Sequence, residues 1–344
     1  MINFKKNIRV ALIGAGRMGC RHIKIARALK LDVIGICDQN QEALRFAGEE
    51  AFIPADSLFQ DVQAMLEKKK PTCVVIATTT PAHFTYTCLA AKLGVKYVLC
   101  EKPMAVSLAE CDRMVKTCHQ YGTRLAINHQ MRFMQQYTEP KKIALSMDFG
   151  GLSSITVAGG NFGMAMNGTH YFEMFRYMTD EEPYEVTAWF SKDRVPNPRG
   201  RQFEDRAGSV RVTTKSGKRL YMEISADQGH GVKVIYSGRQ GQIVVDELNG
   251  TMQVDIRSKQ HRGLPTTRYG MPGIQTLKKI QPADVLDSSK AVLKALLEGK
   301  NYPTGEEGRM AVATLVAAYV SNENGHKPVR VDGHLPAERI FPWA

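Results

Sequence analysis

The stretch "LIGAGRMG" (12–19) constrains this chain more than any other part of it. Gly14, Gly16 and Gly19 stand in G-x-G-x-x-G spacing, behind the apolar run "IRVALIG" (8–14) and ahead of the helical pattern "CRHIKIARALK" (20–30). In a strand–turn–helix setting each glycine has its own task. The first permits a tight turn, the second lets a pyrophosphate approach the backbone, and the third lets the helix pack closely on its strand. The free N–H groups of the helix start, around Arg17 and Met18, suit phosphate oxygens. Roughly 20 residues on, Asp38 ends a second apolar run, where a carboxylate accepts from a ribose 2′-hydroxyl and repels a 2′-phosphate. The bland alternative is a Gly-rich turn with a surface Asp. The expected cofactor is NAD, with NADP still open because Arg45 or another base can reach a 2′-phosphate.

Beyond this motif, short and nearly continuous apolar runs alternate with helical segments. "DVIGICD" (32–38), "CVVIATT" (73–79), "KYVLCEKP" (96–103) and "RLAIN" (124–128) are separated by "QEALRFAGEE", "HFTYTCLAAKLG" and "LAECDRMVKTCHQYG". Such runs are what a parallel sheet covered on both faces requires. Residues 1–127 therefore read as a doubly wound α/β dinucleotide-binding (Rossmann) domain. Residues 128–344 read as an α+β domain with a large open, mostly antiparallel sheet, entered by a short crossing near residue 128. Its signals are a period-2 hairpin over 207–225 turning at Ser216-Gly217, Gly-punctuated strands over 231–256, and two helices at 283–300 and 306–325. An open sheet with helices on one face leaves the other face to be covered, which predicts a homodimer or homotetramer through this sheet.

Composition excludes several classes. The 344 residues, 43% of them hydrophobic and 23% charged, suffice for two ordinary cores. No apolar run reaches the roughly 18 residues of a membrane span. The run "IRVALIGAG" carries glycines where a signal peptide needs a longer apolar core, so the expectation is a cytoplasmic protein without a membrane partner. The seven cysteines are odd in number and sit mostly in apolar segments, which suggests buried thiols, neither a disulfide framework nor a metal site. The net charge of +12 raises nucleic-acid binding. The basic residues, however, are spread through "EKKKPT" and "NPRGRQFEDR" among acids and turns, and an anionic small ligand explains the field equally well. No nucleic-acid partner is expected.

In doubly wound sheets, ligands bind beyond the carboxyl ends of the strands. Two such ends carry chemistry. In "ATTTPAH" (77–83), Thr78, Thr79, Thr80 and Pro81 can form a turn beside the cofactor with His83 after it, or simply start a helix. In "CEKPMA" (100–105), Lys102 either points into the crevice or forms a surface ion pair with Glu101. Further on, "MAMNGTHYFEM" (164–174) puts His170, Glu173 and Tyr177 on one side of a helix and Tyr171, Met174, Phe175 and Met178 on the other. Helical spacing leaves His170 open between a packed capping residue and a proton carrier.

Together, the Gly14–Gly19 motif, His22, Asp38, "TTTPAH", Glu101-Lys102-Pro103 followed by "MAVSLAE", "NHQMRF" (128–133) and "NGTHYFEMFRYM" resemble the glucose-fructose oxidoreductase / inositol dehydrogenase (Gfo/Idh/MocA) family. The Glu-Lys-Pro triplet is the most specific of these, and the likeness runs through essentially the whole chain. It implies an NAD(P)-dependent oxidoreductase that exchanges hydride between nicotinamide and a secondary hydroxyl or carbonyl of a sugar, cyclitol or nucleotide sugar. It also implies that Lys102 is the active-site lysine, that His170 is the general acid/base, and that Glu101 and Asn128 join the cofactor site. Arg132 and Asn167, with Arg268 and Tyr269, can meet polyol or phosphate groups of a substrate or serve equally well as structural residues. One departure stands out: many members carry an acid one helical turn before this histidine, and here that position is Met166. A proline common after the "RF" pair is likewise replaced, by Gln135. Two alternatives share the same residues, an NAD-assisted glycosidase or lyase and a non-catalytic dinucleotide-binding regulator.

Overall fold

The computed structural model describes residues 8–160, 162–194, 197–267 and 270–344; Arg268 and Tyr269 lie outside the described residues. The chain divides into two compact units, one formed by the residues up to Gln130 with 285–312 and 336–344, the other by 131–284 with 313–335.

In the first unit, strands β1 (Arg9–Ile13), β2 (Asp32–Cys37), β3 (Leu58–Phe59), β4 (Cys73–Ile76), β5 (Tyr97–Cys100) and β6 (Arg124–Ile127) form a parallel sheet in the order β3-β2-β1-β4-β5-β6. The connecting helices are α1 (Arg17–Ala28), α2 (Gln41–Ala51), α3 (Val62–Lys69), α4 (His83–Lys92) and α5 (Leu108–Gln120). Every residue of β4 is buried, as expected of a strand covered on both faces. Asn40, Asp61 and Ser107 cap α2, α3 and α5 with side-chain oxygens that accept backbone N–H groups, and so fix where each helix begins. The strand order reverses between β1 and β4, so the carboxyl ends of these two strands flank the crevice in which such sheets bind ligands.

The boundary differs from the split expected after residue 127. Helix α8 (Val285–Glu298) packs on α1, β5 and β6, and the C-terminal segment returns to the same unit, where the Phe341 N–H donates to the Val106 carbonyl at 2.9 Å. The amphipathic pattern of α8 announces a buried face without naming the surface that buries it. Helix α9 (Gly305–Glu323) begins in the first unit and ends in the second.

The second unit holds α6 (Gln135–Ala144), α7 (Thr169–Thr179) and the strands β7 (Leu152–Gly160), β8 (Glu185–Arg194), β9 (Arg206–Thr213), β10 (Arg219–Ser225), β11 (Lys233–Gly238), β12 (Gly241–Asp246), β13 (Thr251–Arg257), β14 (Gly273–Lys279) and β15 (Val329–Arg330). They form one sheet in the order β14-β13-β12-β11-β7-β10-β9-β8-β15. All pairings are antiparallel except β7 with β10. The predicted hairpin is β9–β10, turning at Gly217, whose φ of +89° suits glycine. Burial alternates residue by residue along β10 and β11, so one face carries the core and the other does not.

Candidate active site

The three glycines of the first motif divide the work by space. A Cβ on Gly14, which sits at φ +98°, would stand 2.6 Å from the Ala77 carbonyl oxygen, and one on Gly19 would stand 2.0 Å from the Gly14 oxygen. Both positions are closed to any side chain because backbone lies against them. A Cβ on Gly16 would meet nothing within 4 Å. That open approach to the backbone at the start of α1 is the room a pyrophosphate needs, so the residues present fit a dinucleotide.

Asp38 follows β2 and holds this turn. Its Oδ2 accepts the Ala15 N–H at 2.6 Å and its Oδ1 the Asn40 N–H at 2.8 Å. Each oxygen keeps further acceptor capacity, which a ribose hydroxyl can use. An open cleft of about 660 Å³ adjoins the turn, lined among others by Gly16, Arg17, Arg21, Asn40, Arg45 and Phe46. Arg45 belongs to this cleft, with its guanidinium 3.6 Å from Glu49.

The ends of β4, β5 and β6 are tied together from below. After β4, Thr78 and Thr79 are half-buried and Thr80 is fully buried. Thr79 precedes the Thr80–Ala82 turn without a side-chain capping bond, and Pro81 occupies the turn's first positions. The His83 ring bridges two strand ends, with Nδ1 2.9 Å from the Pro103 carbonyl oxygen and Nε2 3.3 Å from that of Thr78. Glu101 directly follows β5 and is 4% exposed. Its Oε1 accepts from His22 Nε2 and from Asn128 Nδ2, both at 2.8 Å, and Asn128 also donates to Ser289 Oγ on α8 at 3.1 Å.

Burial works to raise the Glu101 carboxyl pKa. The hydrogen bond and charge of His22, the charge of Lys102 and the Asn128 hydrogen bond outweigh burial and bring it down to about 2. Glu101 and Asn128, expected to line the cofactor, are thus buried members of a network next in the chain to Lys102, whose peptide to Pro103 is cis. The surface ion pair left open by the sequence does not apply, because Glu101 is not at the surface.

In the second unit, α7 presents His170, 5% exposed, in its first turn. The five residues Met164–Gly168 ahead of it form a π-helical turn, a wider winding often found at functional sites. Met166 and Asn167 are half-buried there, and the Asn167 N–H donates to the Gly163 carbonyl at 3.0 Å. Arg132, read as a substrate contact, donates to the carboxylate of the fully buried Glu173, which also accepts from Arg176 at 3.2 Å. Its side chain is only 8% exposed, so its charge serves α7 first.

Sequence reasoning named His22 only among the residues that carry the resemblance and gave it no role, although a polar residue on the buried side of an amphipathic helix was a usable signal. Asp205, whose carboxylate takes the N–H groups of Ala165 and Met166, gave none, since it sits in a charged segment forty residues away. Among the described residues no group of three or more His, Cys, Asp or Glu side chains can hold a metal ion, and no helix is long and apolar enough to cross a membrane. All seven cysteines are unbridged.

Residues 8–129 match the family model described as the oxidoreductase family (Gfo/Idh/MocA), NAD-binding Rossmann fold. The chain is 35% identical over 129 residues to D-apiose dehydrogenase of Paraburkholderia graminis, an alignment spanning 37% of this chain and 34% of that protein. It is 25% identical over 335 residues to myo-inositol 2-dehydrogenase of Thermotoga maritima, spanning 92% and 96%. Its fold is that of an oxidoreductase from Agrobacterium radiobacter solved with NAD+, L-tartaric acid and magnesium, with a TM-score of 0.78, 19% identity, and coverage of 94% and 98%. The glycine turn, Asp38 and the Glu101–Lys102 strand end thus sit in a known frame: residues 8–129 form the NAD-binding Rossmann fold described for the Gfo/Idh/MocA oxidoreductases.

Proposed function

We propose that the protein is an NAD-dependent dehydrogenase acting on a secondary hydroxyl of a cyclitol, sugar or nucleotide sugar, with Lys102 and His170 as its catalytic residues. The observation that carries this reading is the buried network of His22, Glu101, Asn128 and Ser289, which fixes the strand end bearing Lys102 beside the glycine turn. A structural lysine needs no such support. The named activities of the D-apiose and myo-inositol relatives point to the same class of substrate. NAD, when bound, supplies the hydride acceptor.

The protein's share of the chemistry is proton and charge management. Oxidising an alcohol requires a base for the hydroxyl proton and a cation for the oxygen that becomes negative. An imidazole suits the first task because it changes charge near neutrality; His170 takes the proton at its ring nitrogen. Lys102 stabilises the oxygen. Reduction runs the same two roles backwards. Asn167 and Arg132 complete the substrate side, Arg132 through its hold on Glu173. Assembly through the open face of the second sheet, as a homodimer or homotetramer, belongs to the same reading.

The test is a cofactor-reduction screen, with NAD and NADP in turn, across myo-inositol, free aldoses including D-apiose, and UDP-sugars. The expected result is NADH formation with at least one of these, faster with NAD than with NADP. Lys102→Ala and His170→Ala should each lower kcat by about 100-fold or more while the Kd for NADH stays within about twofold. Normal turnover in either variant removes that residue from the mechanism. Substrate consumption without net NADH formation transfers the protein to the elimination chemistry of an NAD-assisted glycosidase or lyase.

A further inference from the structure

We propose that Asp205 is the positioning residue for His170, an inference that rests on the reading of His170 as the proton carrier. The first backbone N–H groups of a helical segment have no partner within it, and the residue before the π turn is Gly163, which offers no side-chain cap. Asp205, immediately ahead of β9, supplies two of the missing acceptors: Oδ1 takes the Ala165 N–H and Oδ2 the Met166 N–H, each at 2.8 Å. A carboxylate bonded through both oxygens to two successive amides fixes the turn in position and direction. It is also anionic where the partial positive charge of the helix start favours an anion.

Three further observations make this a fitted contact. Asp205 is 1% exposed, so its carboxylate is held away from solvent. A Cβ on Gly163 would stand 2.1 Å from the Asp205 carboxyl carbon and 2.2 Å from Oδ2; only glycine there lets the carboxylate reach the amides. The second amide it holds is that of Met166, one helical turn ahead of His170, where the side chain is a thioether with no means of orienting an imidazole. The carboxylate arrives from a distant segment and acts on that residue's backbone. From there the π turn runs directly into α7, with the Thr169 hydroxyl donating back to the Ala165 carbonyl at 3.1 Å. His170 is the next residue. Asp205 therefore sets the imidazole through the backbone and is not itself a catalytic residue.

The experiment compares Asp205→Asn, Gly163→Ala and His170→Asn with the parent in the full chain. Asp205→Asn keeps the size but faces one amide N–H with an NH₂ group. Gly163→Ala crowds the same contact without touching the carboxylate's charge. Kinetics use NAD and the fastest substrate of the screen above, and a second readout needs no substrate: the ring resonance of His170 in the NADH-loaded and NADH-free protein, identified by its loss in His170→Asn.

The expected result for both Asp205→Asn and Gly163→Ala is a kcat reduced about tenfold or more, KM for NAD and Kd for NADH within about twofold, and a shifted or broadened His170 resonance. A general loss of folding would instead move cofactor binding and the other histidine resonances as well. A folded Asp205→Asn with parental kcat and an unmoved resonance overturns the proposal. If that variant does not fold, Gly163→Ala decides in the same terms. The reading of His170 fails separately, by parental turnover of His170→Asn.

Discussion

Two buried glutamates, one from each unit, are held in opposite ways. Glu101 in the first unit and Glu247, which follows β12 in the second, are 4% and 7% exposed. Burial penalises the charged form of both. Glu101 meets His22, Asn128 and the charge of Lys102, and its pKa goes down to about 2. Glu247 meets hydroxyls, accepting from Tyr137 and, at 3.2 Å, from Tyr171. Burial dominates there, the tyrosine bonds only soften it, and the pKa rises to about 7. Burial therefore does not decide whether a carboxyl keeps its charge; the partners do. The first unit spends a buried negative charge beside the lysine that the proposed chemistry needs. In the second, Glu247 joins α6, β12 and α7 around the core.

The largest test of that contrast is His22→Ala. Removing a hydrogen-bond donor from a buried carboxylate leaves that charge short of a partner. The variant should lose about 3 kcal/mol of stability at pH 7, measured by urea denaturation, and turnover should fall with it because Lys102 is the next residue along. A loss below about 1 kcal/mol would show that Asn128 and Lys102 alone sustain the Glu101 charge, and the pair would then be ordinary packing.

A smaller effect follows in acid. Glu101 has a folded pKa near 2 against an ordinary 4.5, so its contribution is fully present above pH 4.5 and is lost as the pH falls toward 2. Without His22 the folded pKa moves back toward 4.5 and that dependence flattens. The stability gap between His22→Ala and the parent should narrow steadily below pH 4.5, as read from urea midpoints at stepped pH. A gap of constant size would detach the effect from the Glu101 charge.

The contrast also explains what was legible in the sequence. β1, β2, β4, β5 and β6 could be read because each is a continuous apolar run bounded by turn residues, and the order of a doubly wound sheet follows from handedness and short connections. β3, only two residues long, carries too little pattern to be read. The parallel pairing of β7 with β10 joins segments some sixty residues apart, for which no local signal exists. The same limit hid Asp205 and the return of α8 and the C-terminus to the first unit. Arg132 was visible as a charged residue near the site, while its engagement with Glu173 depends on α7 lying against the Gln130–Phe133 turn. Local periodicity identifies which face is buried; it is silent on which distant group waits there.

The finest test of the comparison lies in Glu247→Gln, because the two glutamates must respond to pH with opposite sign. With a folded pKa near 7 and an ordinary value of 4.5, Glu247 binds its proton more tightly in the folded than in the unfolded chain. Below pH 4.5 both states are protonated and the residue is neutral for stability. As pH rises toward 7 the unfolded chain ionises first, and stability falls. An amide of the same shape has no such dependence. At pH 5, where the native carboxyl is still protonated, Glu247→Gln should lie within about 0.5 kcal/mol of the parent, the smallest effect predicted here. By pH 8 the variant should be the more stable of the two by about 2 kcal/mol, since each unit of pKa shift corresponds to about 1.4 kcal/mol and relaxation absorbs part of it. The opposite crossing, with the variant weaker at pH 8 than at pH 5 relative to the parent, would mean that Tyr137 and Tyr171 hold a carboxylate as firmly as His22 and Lys102 do. Hydroxyl donors would then suffice to keep a buried charge, and the distinction between the two glutamates would fall.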